Sequence, residues 1–389
     1  MSGDASRADG NVDGNVRAAE VVLACADVNE TARFFAGLGF RVDAIAPADD
    51  PATALLGGHG LRIRLERGAA GPPGLLRLLC RDPSAVAGGA TVLVAPGGTR
   101  VELAPADPPL ALPPLAPSLV IARAGGAAWH EGRAGMLYRD LIPDRQGGRF
   151  VASHIRIPDG GPVPDYVHCH RIRFQLIYCH RGWVRVVYED QGPPFVLAAG
   201  DAVLQPPLIR HRVLESSPGL EVVELSSPAE HETLADHDLA LPTGRVDAGR
   251  DFGGQRFVHH RAAGAAHLPW RDGLAARDLG IAAATAGLAS AHVARPLARR
   301  GGAAAAERRL HGGELCFLFV LAGGVTLDLD QDAHRLAASD AAAVPGDVAH
   351  ALVDPSPDLE LLEIALPAAG ASPPGPPYSG VTNFETRRM

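Results

Sequence analysis

Two histidines one residue apart place the strongest constraint on what this chain can fold into. They are His168 and His170, in the segment HCHRIRFQ that ends at Gln175. Successive side chains of a β-strand point to opposite faces, so residues two apart share a face. The apolar, β-branched run LIYCHRGWVRVVY follows directly after Gln175 and predicts further strand. The spacing therefore places two imidazoles on one side of a sheet.

Two imidazoles on one face are half of a metal site. Imidazole suits Zn, Cu, Fe and Ni, and a side-chain amide can add an oxygen ligand. A third histidine, His211 in GDAVLQPPLIRHRV, would close one face of the ion if a second strand carried it there. We predict a divalent metal held by His168, His170, His211 and Gln175. The alternative for Gln175 is a hydrogen bond to a metal-bound water. The remaining face of the ion would admit water, oxygen or substrate.

This stretch resembles the cupin superfamily, whose first motif is Gly, two His, Glu and Gly, and whose second is Gly, Pro, Gly, His and Asn. The matching residues of the first motif are Gly161, His168, His170, Gln175 and Gly182, with a one-residue offset at the start. Those of the second are Gly200, Pro206, Leu208, His211 and Glu215. The resemblance implies a β-barrel and a metal, but it does not identify the reaction, because one fold hosts many chemistries.

The departure at Gln175 has a chemical consequence. Neutral ligands leave the full charge of the ion uncompensated, which raises its acidity towards water or an enolisable substrate. In cupin dioxygenases of the quercetin type the matching Glu is proposed to take a substrate proton. Here the substrate would have to arrive as an anion, or Glu215 or another carboxylate would have to serve as the base. Tyr166 shares the strand parity of His168 and would point inward as a hydrogen-bond donor. We therefore predict catalytic roles for Tyr166, for Gln175 at the ion and for Glu215 as the base.

A second copy of the pattern follows. GELCFLFVLAGGVTLDL matches the strand and glycine pattern after Gln175, with Gly324 in the place of Gly182, and VPGDVAHAL places His350 where His211 stands. The chain therefore resembles a bicupin with an internal repeat. In this alignment the ligand set of the second copy is lost, because Leu310, Gly312 and Phe317 replace His168, His170 and Gln175. His311, Glu314 and His350 are left as a remnant that favours a structural role over a second metal site.

The amino-terminal part has a different pattern. AEVVLACADVNETARFFAGLGFRVDAI predicts a strand, a capped amphipathic helix and a strand, with Ala32, Phe34, Phe35 and Leu38 recurring at helical spacing. It resembles the βαβββ module of the vicinal-oxygen-chelate superfamily, which includes the glyoxalases. The resemblance implies that Glu20 and Glu102 occupy metal-ligand positions. The shortened second half favours a packing or substrate-gating role instead.

The predicted fold class is mostly β: two cupin (double-stranded β-helix) barrels preceded by a truncated βαβββ glyoxalase-like α+β domain. The predicted segments are a disordered N-terminus, the chelate-like module, a Pro-rich linker, a metal-binding cupin domain, a degenerate cupin domain and a C-terminal tail. Their ranges are 1–17, 18–105, 106–118, 119–240, 250–368 and 369–389. Proline stiffens a linker, which supports a boundary at the third segment.

Composition excludes several function classes. The chain contains no lysine, so Schiff-base chemistry and a phosphate-loop lysine are excluded. A formal net charge of −8 provides no broad cationic surface for nucleic acid. The sequence has no long uninterrupted apolar segment, so no membrane span is predicted, and the polar amino terminus is unlike a signal peptide. The five cysteines form no CxxC pair and are typical of free thiols in the cytoplasm.

These observations support three hypotheses. The first is a metal-dependent cupin oxidoreductase, a dioxygenase that uses O2 on a small molecule chelating the open metal face. Fe(II) is favoured as its cofactor, and Mn, Ni, Cu or Zn would also suit the imidazoles. The second is a Lewis-acid isomerase, lyase or hydrolase. The third is a non-catalytic bicupin that binds a small molecule. Homodimerisation through barrel edges is an expectation by analogy with other cupins.

Overall fold

The computed structural model describes residues 16–36, 39–58, 60–69, 75–86, 88–94, 100–297, 307–330 and 332–367. Strands predominate. Within the described chain, one compact unit comprises residues up to 109 together with Glu232–Ala235, and a second comprises the remainder. The predicted tail, 369–389, and the first fifteen residues of the predicted disordered terminus lie outside the described residues. Residues 16 and 17, also predicted to be disordered, lie in a strand.

The first unit has the βαβββ order that the sequence predicts. Its elements are β1 (Val16–Cys25), α1 (Val28–Ala36), β2 (Arg41–Ala46), β3 (Thr53–Gly58), β4 (Leu61–Arg67), β5 (Leu75–Cys80), a 3-10 turn (Pro83–Ala85), β6 (Val92–Val94) and β7 (Arg100–Pro105). The sheet order is β2-β3-β4-β1-β5-β7-β6, with β1 parallel to β4 and β5 parallel to β7. The strand order supports the predicted topology of the module, whereas its membership of the chelate superfamily stays a prediction.

Helix α1 begins at a capping carboxylate. The backbone N–H of Glu30 donates to Oδ1 of Asp27 at 2.8 Å, which satisfies one of the free donors at the helix start. Val28 and Ala32 are buried in a cluster with Leu56 and Leu65 of the sheet, and Phe35 packs against it. This supports the predicted amphipathic pattern of the helix. The side chain of Phe34, and Leu38 as a whole, lie outside the described part of the chain.

Glu20 and Glu102 are held by arginines. The carboxylate of Glu20 is buried and lies 3.8 Å from Arg62, and that of Glu102 accepts from Nη2 of Arg77 at 2.8 Å. Arg77 is the cross-strand partner of both glutamates. Arginine side chains therefore already lie at both carboxylates, which favours the packing role over a metal site built on this pair.

The second unit begins with the strands of the first barrel. They are β8 (Val120–Ala122), β9 (His130–Glu131), a 3-10 turn (Arg133–Gly135), β10 (Leu137–Asp140), β11 (Val151–Ile157), β12 (Gly161–Pro162), β13 (His168–Arg171), β14 (Phe174–Arg181), β15 (Trp183–Tyr188), β16 (Phe195–Ala198), β17 (Ala202–Leu204), β18 (His211–Ser216) and β19 (Leu220–Ser227). One sheet has the order β17-β14-β19-β11-β10-β9, and the facing sheet has the order β16-β15-β18-β13. The next strand, β20 (Glu232–Ala235), belongs to the first unit and pairs with β2.

The second barrel repeats this arrangement. Its elements are β21 (Val258–His260), β22 (Leu268–Pro269), β23 (Leu274–Asp278), α2 (Ile281–Ala284), β24 (Ser290–Pro296), β25 (Leu315–Ala322), β26 (Gly324–Leu329), β27 (Ala333–Ala337), β28 (Ala341–Val344), β29 (His350–Val353) and β30 (Glu360–Leu366). The sheets have the orders β28-β25-β30-β24-β23-β22 and β27-β26-β29. Each of these strand pairings has its equivalent in the first barrel. Two facing sheets of this connectivity form a jelly-roll barrel.

The two barrels exchange a strand. β8 pairs with β28 of the second barrel, and β21 pairs with β17 of the first. The predicted domain boundaries therefore differ from the strand pairing, because each barrel takes one strand from the segment preceding the other. Between the barrels lies an apolar core that includes Phe174, Leu176, Phe317 and Phe319, all fully buried. This explains why β14 and β25 are buried on both faces, since one face lines a barrel and the other packs against its neighbour.

Strand register corrects the alignment between the copies by one residue. Gly182 and Gly323 both have positive φ, 74° and 66°, and a Cβ on either would lie 2.3 Å or 2.4 Å from the hydroxyl of Ser217 or Ser356. Gly323, rather than Gly324, is therefore the equivalent of Gly182. The shift makes Cys316 the equivalent of Gln175. Phe317, predicted at that position, lies in the core between the barrels.

The same correction applies to the histidine pair. His168 is the cross-strand partner of His211, and Arg309 is the partner of His350 in the same way. Arg309 is thus the equivalent of His168, and His311, two residues later, is the equivalent of His170. Leu310 and Gly312, predicted at these positions, are not. The strand register supports the prediction that His350 is the equivalent of His211 in the second copy.

Glu314, predicted as part of a remnant site, instead links the barrels. Its carboxylate accepts from both Nη atoms of Arg173 at 3.0 Å, and Nε of Arg149 lies 3.2 Å away. These side chains are 13–23% exposed, so their charges are only partly hydrated. A bidentate, charge-assisted pair of this kind is stronger than a neutral hydrogen bond. The group is therefore part of the interface between the two barrels.

We expect Glu314→Gln to lower the free energy of unfolding by about 1–3 kcal/mol, because two guanidiniums then face a neutral amide. The measurement is urea unfolding followed by circular dichroism. The matched control is Glu215→Gln, which removes a pair with Arg185 whose side chains are 37% and 47% exposed. Exposed pairs contribute about 0–1 kcal/mol. An equal loss of unfolding free energy in both variants would show that the Glu314 carboxylate stabilises the protein no more than an exposed ion pair does.

Among the described residues, no helix has the length and apolar character needed to span a membrane.

Candidate metal centre

Three histidines converge inside the first barrel. β13 supplies His168 and His170, and β18 supplies His211, which lies directly across the strand pair from His168. The ring centroids are 4.2 Å apart for His168 and His211, and 5.2 Å apart for each of the other two pairs. One nitrogen from each ring lies within 4.8 Å of the others, and all three residues are buried. In the part of the chain that the structure describes, no other three His, Cys, Asp or Glu residues meet this closely.

Backbone carbonyls fix the orientation of two of the rings. Nδ1 of His168 lies 2.8 Å from the carbonyl oxygen of Tyr166, and Nδ1 of His211 lies 3.0 Å from that of Ile209. A carbonyl only accepts, so Nδ1 of His211 carries the proton and its Nε2 keeps the lone pair. Nδ1 of His168 has two contacts, the Tyr166 carbonyl at 2.8 Å and Nη2 of Arg133 at 3.1 Å, and the shorter one favours the same assignment. Histidines that bind metals are commonly held in this manner through the other ring nitrogen. The donor set therefore fits a divalent transition metal.

Burial keeps these imidazoles neutral. Burial, and next the charge of Arg133, holds the pKa of His168 well below its ordinary value. Burial and the neighbouring His211 do the same for the pKa of His170. Burial also lowers the pKa of His211 to about 4. Only a neutral imidazole can ligate, so the three rings are in the required protonation state at neutral pH.

The strand pairing of the second unit forms two jelly-roll barrels, and among the described residues only the first carries a three-histidine group. Leu208, which replaces the turn glycine of the second motif, adopts φ 60° and so takes the left-handed conformation that a glycine would provide.

No protein-family model and no curated protein matches the chain. Solved structures of Bacillus subtilis oxalate decarboxylase are similar to it. One mutant of that enzyme, with a serine replaced by alanine, is 13% identical with a TM-score of 0.46, covering 65% of this chain and 78% of that one. A structure of the enzyme at pH 4.6 is 13% identical with a TM-score of 0.45, covering 64% and 76%. A structure concerned with the Mn(II) centres of the same enzyme is 14% identical with a TM-score of 0.46, covering 65% and 78%.

Gln175 lies beside the histidines in a hydrogen-bond network. Its Oε1 accepts from Nε2 of Gln205 at 2.9 Å, and its Nε2 donates to Glu224 at 3.1 Å. Nε2 of Gln205 lies 3.4 Å from Nε2 of His211, and Oε1 of Gln205 accepts from the hydroxyl of Tyr188 at 2.5 Å. Both polar atoms of the Gln175 amide are thus engaged by other side chains. This arrangement favours a supporting role for Gln175, close to the alternative that the sequence leaves open, rather than binding of the ion.

Glu224, Gln205 and Tyr188 were not singled out from the sequence. The signal for Glu224 is strand parity, because it is the cross-strand partner of Ile177, which packs against the barrel interior. Its carboxylate also accepts from the hydroxyl of Ser226 at 3.1 Å. The cupin motif would have a carboxylate at position 175. Here residue 175 is an amide, and the carboxylate of the network comes from Glu224 instead.

We expect Gln175→Leu to retain a metal ion with affinity reduced by about 10- to 100-fold, the range for residues that support a ligand. Loss of a direct ligand should cost more. The measurement is a competition titration with a chromogenic chelator. Ile177→Leu is the matched control, since residue 177 lies on the same strand face and bears no polar group. A variant that no longer binds metal at all would show instead that Gln175 is a ligand.

Arg133 was also missed by the sequence analysis. Its Nη1 lies 3.0 Å from Nε2 of His168, and its Nη2 lies 3.1 Å from Nδ1 of the same ring and donates to the carboxylate of Asp165. Asp165 is buried and also accepts from the backbone N–H groups of Tyr166 and Val213, both at 2.9 Å. The guanidinium is thus held at the nitrogen that would ligate the ion. It has to leave that lone pair when a metal binds there.

Tyr166 lies next to the site. Its ring centroid is 6.0 Å from that of His168, and the guanidinium of Arg133 lies 4.8 Å from its ring centre. The ring also packs against His237 at 5.6 Å. The ring of Tyr166 therefore packs beside His168 and Arg133, and its backbone carbonyl accepts from Nδ1 of His168. A role for its hydroxyl in catalysis stays a prediction.

Glu215 lies outside the site, which corrects its predicted role as a base. Its carboxylate pairs at 2.8 Å with Arg185, whose side chain is 47% exposed. The reason is a β-bulge: Arg185 pairs with Glu215, but Val186 pairs with Val213, so β18 contains one extra residue. A bulge reverses the alternation of faces beyond it. Val213 shares the inward side with His211, whereas Glu215 faces solvent.

Proposed function

We propose that this protein is a metal-dependent bicupin enzyme that binds one divalent first-row transition metal in its first barrel. The observation that carries the proposal is the convergence of His168, His170 and His211, buried and neutral, with two Nδ1 protons committed to backbone carbonyls. Three imidazoles on one side of an ion leave other coordination positions open, as catalytic sites require.

We further propose that the substrate is a small organic anion, such as a carboxylate or an enolate. Arg133 lies at His168 with its side chain 16% exposed, and Asp165 holds it through the other Nη. A planar guanidinium binds a carboxylate through two parallel hydrogen bonds. An anion at the open face would give Arg133 a new partner when it leaves the lone pair of His168.

The reaction we favour is oxygenation by O2 with Fe(II). When bound, the ion would polarise a substrate oxygen and, as Fe(II), supply electrons to oxygen chemistry. The chain itself contributes orientation. Gln205 and Gln175 support His211, Asp165 positions Arg133, and the carboxylate of Glu224 offsets part of the positive charge that three neutral ligands leave. An anionic substrate removes the need for the carboxylate base that Glu215 does not provide.

The experiment is oxygen uptake by metal-free protein reconstituted separately with Fe(II), Mn(II), Ni(II), Cu(II) and Zn(II), against a panel of small carboxylates and enols. Uptake and product formation with Fe(II), absent in His211→Ala, are expected. Turnover without oxygen uptake, especially with Zn(II), would favour a Lewis-acid isomerase, lyase or hydrolase. Tight binding of an anion without turnover under any metal would favour a non-catalytic binding protein.

Metal analysis of protein from its natural source separates the same hypotheses independently. Iron supports the oxygenase, and full occupancy by zinc supports the Lewis-acid alternative. A cytoplasmic location and homodimerisation stay predictions, as does a gating role for the first unit.

A further inference from the structure

The second barrel keeps the framework of the metal centre but not its ligands. Arg309 stands in the place of His168, and its side chain is 48% exposed. His311 stands in the place of His170, but the backbone uses both of its ring nitrogens: Nε2 donates to the carbonyl of Val344 at 2.9 Å, and Nδ1 accepts from Gly313 at 3.1 Å. His311 therefore has no lone pair to offer.

His350 alone retains the geometry of its equivalent, His211. Its Nδ1 lies 3.3 Å from the carbonyl of Val348, and its Nε2 is buried without a hydrogen-bond partner. Cys316, the equivalent of Gln175, is buried among apolar side chains, and burial raises the pKa of its thiol well above the ordinary value. Where the first barrel brings three imidazoles together, the second leaves only the Nε2 of His350 to offer.

A guanidinium lies in this barrel instead. Arg271 is the equivalent of Arg133, because each lies in the turn of the corresponding hairpin of its barrel. The N–H before each arginine donates across the turn at 2.9 Å, from Gly132 to Met136 in the first barrel and from Trp270 to Leu274 in the second. Arg271 donates to Glu363, and its Nη1 lies 3.7 Å from Asp272. The side chains of Arg271 and Glu363 are 16% and 9% exposed.

Glu363 is the equivalent of Glu224. In the first barrel Glu224 is the cross-strand partner of Ile177, two residues after Gln175. In the second, Glu363 is the cross-strand partner of Leu318, two residues after Cys316. In the first barrel this glutamate accepts from the amide of Gln175, whereas in the second it neutralises Arg271 directly. The charge of Arg271 also reaches His311 and His350, where it adds to burial in lowering each pKa.

We infer that the Arg271–Glu363 ion pair has replaced a metal ion as the buried charge of the second barrel, so that each chain binds one ion rather than two. A divalent cation at His350 would find one imidazole ligand, and the nearby carboxylates of Glu363 and Asp272 are already paired with Arg271 and Arg309. The ion count rests on the proposed site of the first barrel, whereas the role of the pair does not.

The first test is metal content by mass spectrometry after reconstitution and gel filtration. Wild type should contain one ion per chain, His211→Ala none and His350→Ala one. Two ions in wild type, one of them lost in His350→Ala, would overturn the inference. No ion in wild type would overturn the proposed site of the first barrel, and the inference would then be decided by the stability measurement alone.

The second test is a double-mutant cycle on the pair, read as melting temperature with and without EDTA. Arg271→Met and Glu363→Leu should each lower the melting temperature, because each leaves a buried partner unmatched, and the double variant Arg271→Met/Glu363→Leu should recover most of the loss. EDTA should not shift the melting temperature of His211→Ala. Additive losses, or a shift with EDTA in that variant, would show that the pair has not taken over the role of an ion.

Discussion

His211→Ala should abolish metal binding, from about one ion per chain to a level below detection, and with it all turnover. The substitution removes one of three imidazole ligands, so the affinity should fall by more than the roughly 10- to 100-fold loss that supporting residues cause. The fold should survive, because the variant loses one hydrogen bond to the carbonyl of Ile209 and one buried ring, a cost of about 2–5 kcal/mol. Metal analysis and circular dichroism measure the two effects separately.

His350→Ala is the matched control for this variant. Residue 350 has the equivalent strand position, the same Nδ1 contact with the carbonyl two residues earlier and a comparable burial. It should lose similar stability and no metal. If His211→Ala keeps its ion, the three-histidine site is wrong. If instead it loses both ion and fold, the ion has a structural role, as a non-catalytic bicupin would predict.

The sequence predicted the centre of the site because its geometry follows from strand periodicity. His168 and His170 share a face by alternation, and the second motif supplied His211 on the strand paired with them. Local pattern also predicted the order of elements in the first unit, including a capped helix, whose cap is Asp27. These features depend on residues close in sequence or on a motif with fixed spacing.

The errors arose where the backbone departs from regular alternation. The bulge in β18 turned Glu215 outward, and nothing in the residues 211–216 indicates it. In the repeat, the adjacent glycines 323 and 324 allowed either to match Gly182, and only the positive φ of Gly323 decides between them. A shift of one residue moved Phe317 from the core between the barrels into a ligand position, because a one-residue slip exchanges the two faces of a strand.

Arg133, Glu224 and Gln205 were missed for a different reason. Each reaches the site from a segment outside the histidine pair, and Arg133 does so from an irregular turn that carries no periodicity. Their contribution depends on tertiary packing: Asp165 orients Arg133, and Gln175 joins Gln205 to Glu224. Local sequence patterns do not contain that information, and the surrounding charges of the site were therefore not predictable.

Arg133→Met should lower kcat/KM for an anionic substrate by about 100-fold, mainly through KM, because a charge-assisted hydrogen bond to the substrate contributes about 1.5–3 kcal/mol. A neutral analogue of the same shape should be turned over almost as well as by wild type. Metal affinity should stay the same or rise, because the variant removes a positive charge and a competing donor from Nε2 of His168. Steady-state kinetics with both substrates and a chelator titration provide the measurements.

Two further variants define what Arg133 does. Arg133→Lys should restore only part of the activity, since an ammonium keeps the charge but lacks the planar fork that binds a carboxylate. Arg185→Met is the matched control, because it removes an exposed arginine from the outer face of the same barrel and should leave KM unchanged. Asp165 keeps two backbone donors when Arg133 is replaced, so the site should remain folded. Equal losses for the anionic and the neutral substrate, or loss of the metal, would assign Arg133 to the scaffold and remove the basis for an anionic substrate.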